Sequence, residues 1–145
     1  MERRIFIKNC GFTCFTVVGI TAFLEGCGTN YFAQTNIHNN LITIKKTEFL
    51  KEVNNKTKER KYVLIKVEKV ESTIILYKNS NTAYSALLML CTHKGCELQP
   101  NGDFLVCPCH GSEFTNKGKV INPPADEDLR QFKTTVDNEN IYIQL

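Results

Sequence analysis

Short runs of alternating apolar and polar residues recur along this chain from about residue 41 to its end. Such alternation is typical of strands with one face in a core and the other in solvent. Turn sequences at 79–81 and 137–140 predict two hairpins between neighbouring strands. Few helix signals and no repeat are present, so the pattern predicts an all-β fold, an antiparallel sandwich or barrel. The predicted strands are 41–44, 62–68, 73–78, 83–90, 104–106, 129–136 and 141–145.

Three stretches lack a strand pattern. Residues 28–40 are polar and rich in Thr, Asn and Gln, which predicts a flexible tether. Residues 47–51 are expected to form one helical turn or an edge loop, and residues 54–60 a charged loop. The folded domain is therefore predicted at residues 41–145.

The first 27 residues have a different character. A basic start at residues 1–8 precedes an apolar stretch at 10–24, which is too short and too rich in Gly and Thr for a membrane-spanning helix of about 20 residues. The stretch is typical of an export signal, and Arg3 and Arg4 followed by Ile-Phe-Ile-Lys resemble a bacterial twin-arginine signal. Residues 24–28 resemble a lipobox in which Cys27 becomes lipidated. The alternative is an uncleaved anchor helix, and either reading places the domain at a membrane surface after export.

Length, charge and composition limit the classes of function that this chain could have. A chain of 145 residues leaves no room for a large multidomain enzyme, and 18 basic and 15 acidic residues are interleaved rather than pooled, which does not favour nucleic-acid binding. Seven cysteines fall into two groups, one in the first 27 residues and one after residue 90. Cys10 and Cys14 lie inside the predicted signal, where they need no role beyond that of small apolar residues.

The second group of cysteines lies in two motifs that also contain histidine. Residues 91–96 read CTHKGC and residues 107–112 read CPCHGS, and each motif follows the end of a predicted strand. They resemble the two cluster-binding boxes of Rieske iron–sulfur proteins at all eleven specified positions, with thirteen residues between His93 and Cys107. The strand pattern resembles the family as well, and the resemblance implies a small cluster-binding subdomain within the all-β domain.

The resemblance implies one [2Fe–2S] cluster with Cys91 and Cys107 on one iron and His93 and His110 on the other. Two neutral imidazoles in place of two thiolates remove negative charge, so the potential rises to roughly −150 to +300 mV, against about −400 mV for an all-cysteine plant-type cluster. In the high-potential branch of the family, the cysteines that match Cys96 and Cys109 form a disulfide. Such a bond requires an oxidising compartment, which the export signal would supply.

Three further residues and one segment are compared with the family, because they bear on the midpoint potential, the partner and the cover of the cluster. Ser112 matches a family serine that donates to a bridging sulfide, whereas Phe114 stands where quinol-oxidising members carry a tyrosine. A missing donor predicts a potential below that of those members. Lys94 replaces a leucine on their docking surface, which favours an acidic partner over an apolar quinol pocket. Residues 122–125 occupy the place of the family's proline-rich loop, without its usual glycine.

Other readings of the motifs account for fewer residues. A zinc site would use two Cys and two His but usually pairs like with like, and two plain disulfides would leave both histidines without a role. A Rieske oxygenase needs a second iron held by two histidines and a carboxylate, and only His38 remains for it.

The resemblance therefore implies an electron-transfer protein, enzymatic only as part of an oxidoreductase complex. We expect one-electron transfer on the periplasmic side of a bacterial membrane, with a cytochrome or oxidoreductase subunit as partner and no role for nucleic acid. The complex would be a respiratory or quinol oxidoreductase. The alternative is a freestanding lipoprotein carrier or redox sensor.

Overall fold

The structure is a computed structural model that describes residues 30–145, and this part of the chain is almost entirely β. Within residues 30–145, one 3₁₀ turn, Lys46–Phe49, follows the second strand. The strands are β1 (Asn36–His38), β2 (Leu41–Lys45), β3 (Leu50–Val53), β4 (Lys56–Glu59), β5 (Tyr62–Ile65), β6 (Ile74–Lys78), β7 (Tyr84–Leu88), β8 (Gln99–Asn101), β9 (Phe104–Val106), β10 (Glu113–Thr115), β11 (Val120–Asn122), β12 (Gln131–Val136) and β13 (Asn140–Gln144).

The largest sheet is antiparallel, with the strand order β1-β2-β13-β12-β7-β6-β5. The segment before β1 runs along the opposite edge strand, where Ala33 donates to the Leu64 carbonyl and Leu64 donates to that of Tyr31, each at 2.8 Å. One continuous segment thus contacts both edges of the sheet, so the sheet is curled. A smaller sheet has the order β11-β10-β9-β8, and β3 and β4 form a separate hairpin. The prediction of an antiparallel all-β fold is confirmed.

The central strands are buried on both faces. On β6, Ile74 and Leu76 belong to a core on one side of the large sheet, whereas Ile75 and Tyr77 belong to a second core on the other. The second core is completed by side chains from the small sheet and its flanking loops, such as Leu105. A strand covered on both faces reads as a continuous apolar run rather than as an alternation, which is the pattern at residues 74–77. The small sheet is therefore held against the large sheet by packed apolar residues.

Two sequence predictions about loops were wrong. From Asn30 onward the predicted tether is bonded to the sheet, and its residues 36–38 form β1, paired with β2. Within the predicted charged loop, residues 56–59 form β4, paired with β3. Each hairpin turns on two adjacent asparagines with positive φ, 48° and 63° at residues 39 and 40, and 52° and 57° at residues 54 and 55. Two successive residues with positive φ define the two-residue turn that best fits the twist of a hairpin, and asparagine adopts it readily.

Three short strands of the small sheet, β8, β10 and β11, were not predicted. The other predicted strands are present within a few residues of their expected bounds, although the strand expected at 62–68 ends at Ile65. Residues 47–51 were expected to form one helical turn or an edge loop. They contain most of the 3₁₀ turn, so the first of these expectations is met.

The turn between β10 and β11 requires a glycine where it meets the large sheet. Gly118 has a φ of +78°, and a Cβ built there would lie 2.9 Å from Leu87 Cδ2 and 3.3 Å from Leu129 Cβ. Both conformation and space therefore exclude a larger residue without local movement.

Gly118→Ala is expected to lower the free energy of unfolding by about 2–4 kcal/mol, since left-handed strain of about 1 kcal/mol adds to overpacking of about 1–3 kcal/mol. The control is Gly102→Ala in the β8–β9 turn, because Gly102 also has a positive φ, +64°, but a Cβ added there would meet no atom within 4 Å. Guanidinium unfolding of both variants measures the difference. Equal losses would contradict the packing argument.

Among residues 30–145 no helix is long and apolar enough to cross a membrane. The predicted signal features, namely Arg3, Arg4, Cys10, Cys14 and Cys27, lie outside the described residues.

Candidate metal centre

The first motif forms a tight loop directly after β7. The backbone N–H of Cys91 donates to the carbonyl of Cys96 at 2.8 Å, and Gly95 donates back to the carbonyl of Cys91 at 2.8 Å. Gly95 closes this loop with a φ of +71°, a conformation that glycine adopts without strain. The two bonds fix the loop backbone and hold the Cys91 side chain in the interior, where it is 3% exposed.

The second motif, between β9 and β10, repeats this geometry. Cys107 donates to the carbonyl of Ser112 at 2.8 Å, and Gly111, with a φ of +79°, donates to the carbonyl of Cys107 at 3.0 Å. The side chain of Cys107 is only 1% exposed. The two loops are thus the same six-residue structure, except that the histidine stands two residues after the first cysteine in one loop and three in the other.

A disulfide joins the two loops. It links Cys96 to Cys109, with the two Cα atoms 6.5 Å apart. The expected pairing is therefore present. The sulfur atoms of Cys96, Cys107 and Cys109 lie within 4.8 Å of one another. Because two of these sulfurs form the disulfide, only Cys107 of this trio has a thiol that could bind a metal.

The two free cysteines of the described chain, Cys91 and Cys107, are buried side by side. Burial opposes ionisation of the Cys107 thiol, but the backbone N–H groups of Cys109 and His110 and the Cys91 thiol donate to its sulfur and together hold its pKa below the ordinary value. A sulfur surrounded by donors is stabilised as a thiolate, which is the form that binds metal.

Two imidazoles lie next to each other in the same pair of loops. The ring centroids of His93 and His110 are 5.0 Å apart, with the ring planes at 84°. The Nδ1 atom of His93 is buried and has no hydrogen-bond partner among the described residues. A buried polar atom without a partner costs about 1–3 kcal/mol, so an atom left in this state indicates a ligand that completes it.

The donor set fits a two-iron cluster. Two buried thiols and two imidazoles, presented by two matching loops, could together provide two sulfur and two nitrogen ligands. Softer thiolates suit iron–sulfur clusters, and imidazole is a known replacement for cysteine on one iron.

Comparison with known proteins decides the family. A family profile described as "Rieske [2Fe-2S] domain" matches residues 48–133, which is more than half of the chain. The chain belongs to the Rieske family. The cofactor of its domain is one [2Fe–2S] cluster, as the motifs implied.

Several curated relatives are iron–sulfur subunits of the cytochrome b6-f complex. The subunit from Trichodesmium erythraeum is 32% identical, in an alignment that covers 97% of this chain and 83% of the relative. The subunit from Synechococcus sp. strain JA-3-3Ab is 38% identical over 81 residues, which are 54% of this chain and 47% of that protein. In that match and in others like it, the chain spans about half the length of the curated relative.

A solved structure resembles this Rieske protein. The cyanobacterial plasma membrane Rieske protein PetC3 from Synechocystis PCC 6803 is 33% identical, with a TM-score of 0.52, over 59% of this chain and 87% of that one. The likeness supports the assignment of the fold.

A third loop follows β11, and together with Asn122 at the end of that strand it holds both cluster-binding loops of the Rieske domain in place. The Asn122 side-chain amide donates to the carbonyl of Gly111 at 3.3 Å. On the other side, the Thr92 hydroxyl donates to the carbonyl of Glu127 at 2.7 Å. This loop includes the predicted proline-rich segment. The role of Thr92 as a link between loops was not predicted, because its partner is 35 residues away and no local pattern marks it.

Ser112 and Phe114 lie beneath the second loop, and both side chains are fully buried. The Ser112 Oγ accepts a hydrogen bond from the backbone N–H of Ala125 at 3.0 Å. The hydroxyl donates no hydrogen bond to another of residues 30–145, and its expected role as a donor to the cluster stays a prediction. Phe114 packs in the second core and offers no donor at all.

Phe114→Tyr is expected to raise the midpoint potential of the Rieske protein, because a hydroxyl donor near the ligand sulfurs stabilises the more negative reduced form. One added hydrogen bond of about 1 kcal/mol corresponds to about 40 mV for a one-electron couple. Redox titration measures the shift. The control is Phe132→Tyr, which adds a hydroxyl to a buried ring of the other core. A shift of the same size in both variants, or none at Phe114, would contradict this account of the potential.

Proposed function

We propose that this Rieske protein transfers single electrons at a membrane surface, through a cluster held by Cys91 and Cys107 on one iron and by His93 and His110 on the other. The observation that carries the assignment is the partnerless, buried Nδ1 atom of His93. It lies in a loop whose counterpart presents a second imidazole and a buried thiol whose pKa is held below its ordinary value. These four residues are the metal-binding and cofactor-binding residues of the proposal.

When bound, the cluster supplies reversible one-electron chemistry at a potential that two imidazole ligands raise to roughly −150 to +300 mV. The protein determines where electrons enter and leave. Cys91 and Cys107 are buried, whereas His93 is half-buried and His110 is exposed. The imidazole side is therefore the side that a redox partner can approach.

The setting of the proposal is a membrane complex on the periplasmic side. The names of the relatives support this setting, since they are subunits of a cytochrome b6-f complex or a plasma membrane Rieske protein. Export and anchoring would depend on the N-terminal segment, with Arg3 and Arg4 as the twin-arginine pair and Cys27 as the lipidated residue. The disulfide between Cys96 and Cys109 agrees with an oxidising compartment.

The partner proposed is a cytochrome or another oxidoreductase subunit with an acidic contact surface. Lys94 is exposed and directly follows His93 in the chain, so its charge lies at the point of approach. An ammonium group at that point favours an acidic protein over an apolar quinol pocket, because burying an unpaired charge is costly.

Purification of the full chain from native membranes in mild detergent tests the proposal. The expected result is a red-brown protein with the electron paramagnetic resonance spectrum of a [2Fe–2S] cluster that co-purifies with a cytochrome. A cluster-bearing protein that purifies alone would instead support a freestanding carrier or redox sensor. A colourless protein containing zinc would contradict the electron-transfer function.

A further inference from the structure

The β3–β4 hairpin carries three lysines on one face. Residues directly opposite each other in an antiparallel pair point to the same side, and Lys51 lies opposite Lys58 while Val53 lies opposite Lys56. All three lysine side chains are exposed, and none forms an ion pair with a described residue. We call Lys51, Lys56 and Lys58 the lysine face.

The pairing of Lys51 with Lys58 is unfavourable in isolation. Like charges directly opposite each other destabilise an antiparallel pair. The acidic residues of the hairpin do not offset this repulsion between lysines. Glu52 and Glu59 stand at the alternate positions of the two strands, so they point to the other face. Glu59 is in addition paired with Lys78. An anionic surface outside the domain would relieve this repulsion.

The lysine face lies near the point where the chain before Asn30 leaves the described domain. Tyr31 is bound to the base of the hairpin, since its hydroxyl donates to Glu48 at 2.8 Å and the Arg60 guanidinium lies 3.9 Å over its ring. The 29 residues before Asn30 include the predicted export signal and anchor. A membrane that holds this segment would therefore lie close to the hairpin.

We infer that the lysine face docks on the anionic lipid headgroups of the membrane to which the N-terminal segment attaches. The inference rests on the membrane attachment in the proposed function. Each lysine near an anionic bilayer favours binding by roughly fivefold. Beside an anchored segment, three lysines suffice to hold one side of the domain against the bilayer.

Docking through the lysine face determines the direction in which the cluster-binding loops point. Tyr84, at the start of β7, lines a groove together with Leu50 and Glu59 of the hairpin, whereas Cys91 follows the far end of the same strand. The docked domain thus presents His93 and His110 away from the bilayer, toward a partner in the aqueous phase.

Lysine acetylation of the full chain in vesicles tests this inference. The chain is incorporated into vesicles of phosphatidylcholine alone or of phosphatidylcholine with phosphatidylglycerol, treated with a water-soluble acetylating reagent, and analysed by mass spectrometry. Acetylation of the lysine face is expected to slow by roughly fivefold or more in anionic vesicles and to recover at high salt, which screens the attraction. Lys66, Lys69 and Lys133, which are exposed and without ion pairs among the described residues, serve as internal controls with unchanged rates.

Lysine-to-glutamine variants provide a second, independent test. Lys51→Gln with Lys58→Gln is expected to abolish the protection of Lys56 in anionic vesicles, whereas Lys66→Gln with Lys133→Gln is expected to leave it intact. Equal acetylation of the lysine face in both vesicle types would overturn the inference, as would equal protection of all six lysines. Co-sedimentation with neutral vesicles reports separately on the N-terminal anchor, so failure of the anchor and failure of the docking surface are distinguished.

Discussion

Replacing either His93 or His110 by alanine is expected to abolish the iron–sulfur absorption and paramagnetic resonance signals of the purified chain. Each imidazole is proposed as one of only two protein ligands on its iron, and the two rings lie 5.0 Å apart in the same pair of loops. Loss of one ligand leaves that iron without a complete ligand set. Absorption spectra and iron content per chain measure the result.

His38→Ala is the matched control, because it removes the only other histidine of the chain. His38 lies on β1 and is exposed, and it belongs to neither cluster-binding loop. Full cluster content is expected in this variant. A cluster that persists in both His93→Ala and His110→Ala, or that is lost in His38→Ala, would contradict the proposed ligands.

Removal of the disulfide is expected to have the second largest effect. Replacing Cys96 and Cys109 by serine frees a loop with a sequence separation of 13, for which chain entropy predicts a loss of about 3 kcal/mol in the free energy of unfolding. Because the bond joins the two loops that surround the cluster site, we also expect faster loss of iron on heating. Guanidinium unfolding under non-reducing conditions and the rate of iron release measure the two effects.

The single variants provide the control for this prediction. Cys96→Ser and Cys109→Ser each delete the same bond, so each is expected to lose as much stability as the double variant, a strongly non-additive result. Additive losses would show that the serines act through their own contacts rather than through the disulfide.

The fold class and most strands could be predicted because alternation and apolar runs are local signals. The hairpin turns at Asn39–Asn40 and Asn54–Asn55 were missed, although paired asparagines are a signal for a two-residue turn. Of the four short strands of the small sheet, only the apolar run of β9 was predicted. The strands β8, β10 and β11 could not be identified, since three residues that include polar ones are too few to display a period. Their position depends on packing against Leu87 and its neighbours, which is a tertiary effect.

The metal-binding motifs could be found from the sequence because they combine rare residues at fixed spacing. The disulfide between Cys96 and Cys109 followed from the family resemblance and is present in the structure. What the sequence could not reveal is how the loops are supported. The bond from Thr92 to Glu127 joins residues far apart in the chain, and the bond from Ala125 to Ser112 depends on how the third loop folds over the second.

The docking inference and the proposed partner make one consistent arrangement. A domain held to the bilayer by its lysine face would turn His110 toward the aqueous phase, where Lys94 could meet an acidic protein. Electrostatic attraction of this kind mainly accelerates encounter and weakens as salt increases. The electron-transfer rate should therefore fall with ionic strength.

Redox titration of the purified full chain shows whether it carries a [2Fe–2S] cluster with two cysteine and two histidine ligands. We expect a single one-electron transition between roughly −150 and +300 mV. A transition at about −400 mV, as expected for four cysteine ligands, would contradict the proposed ligands.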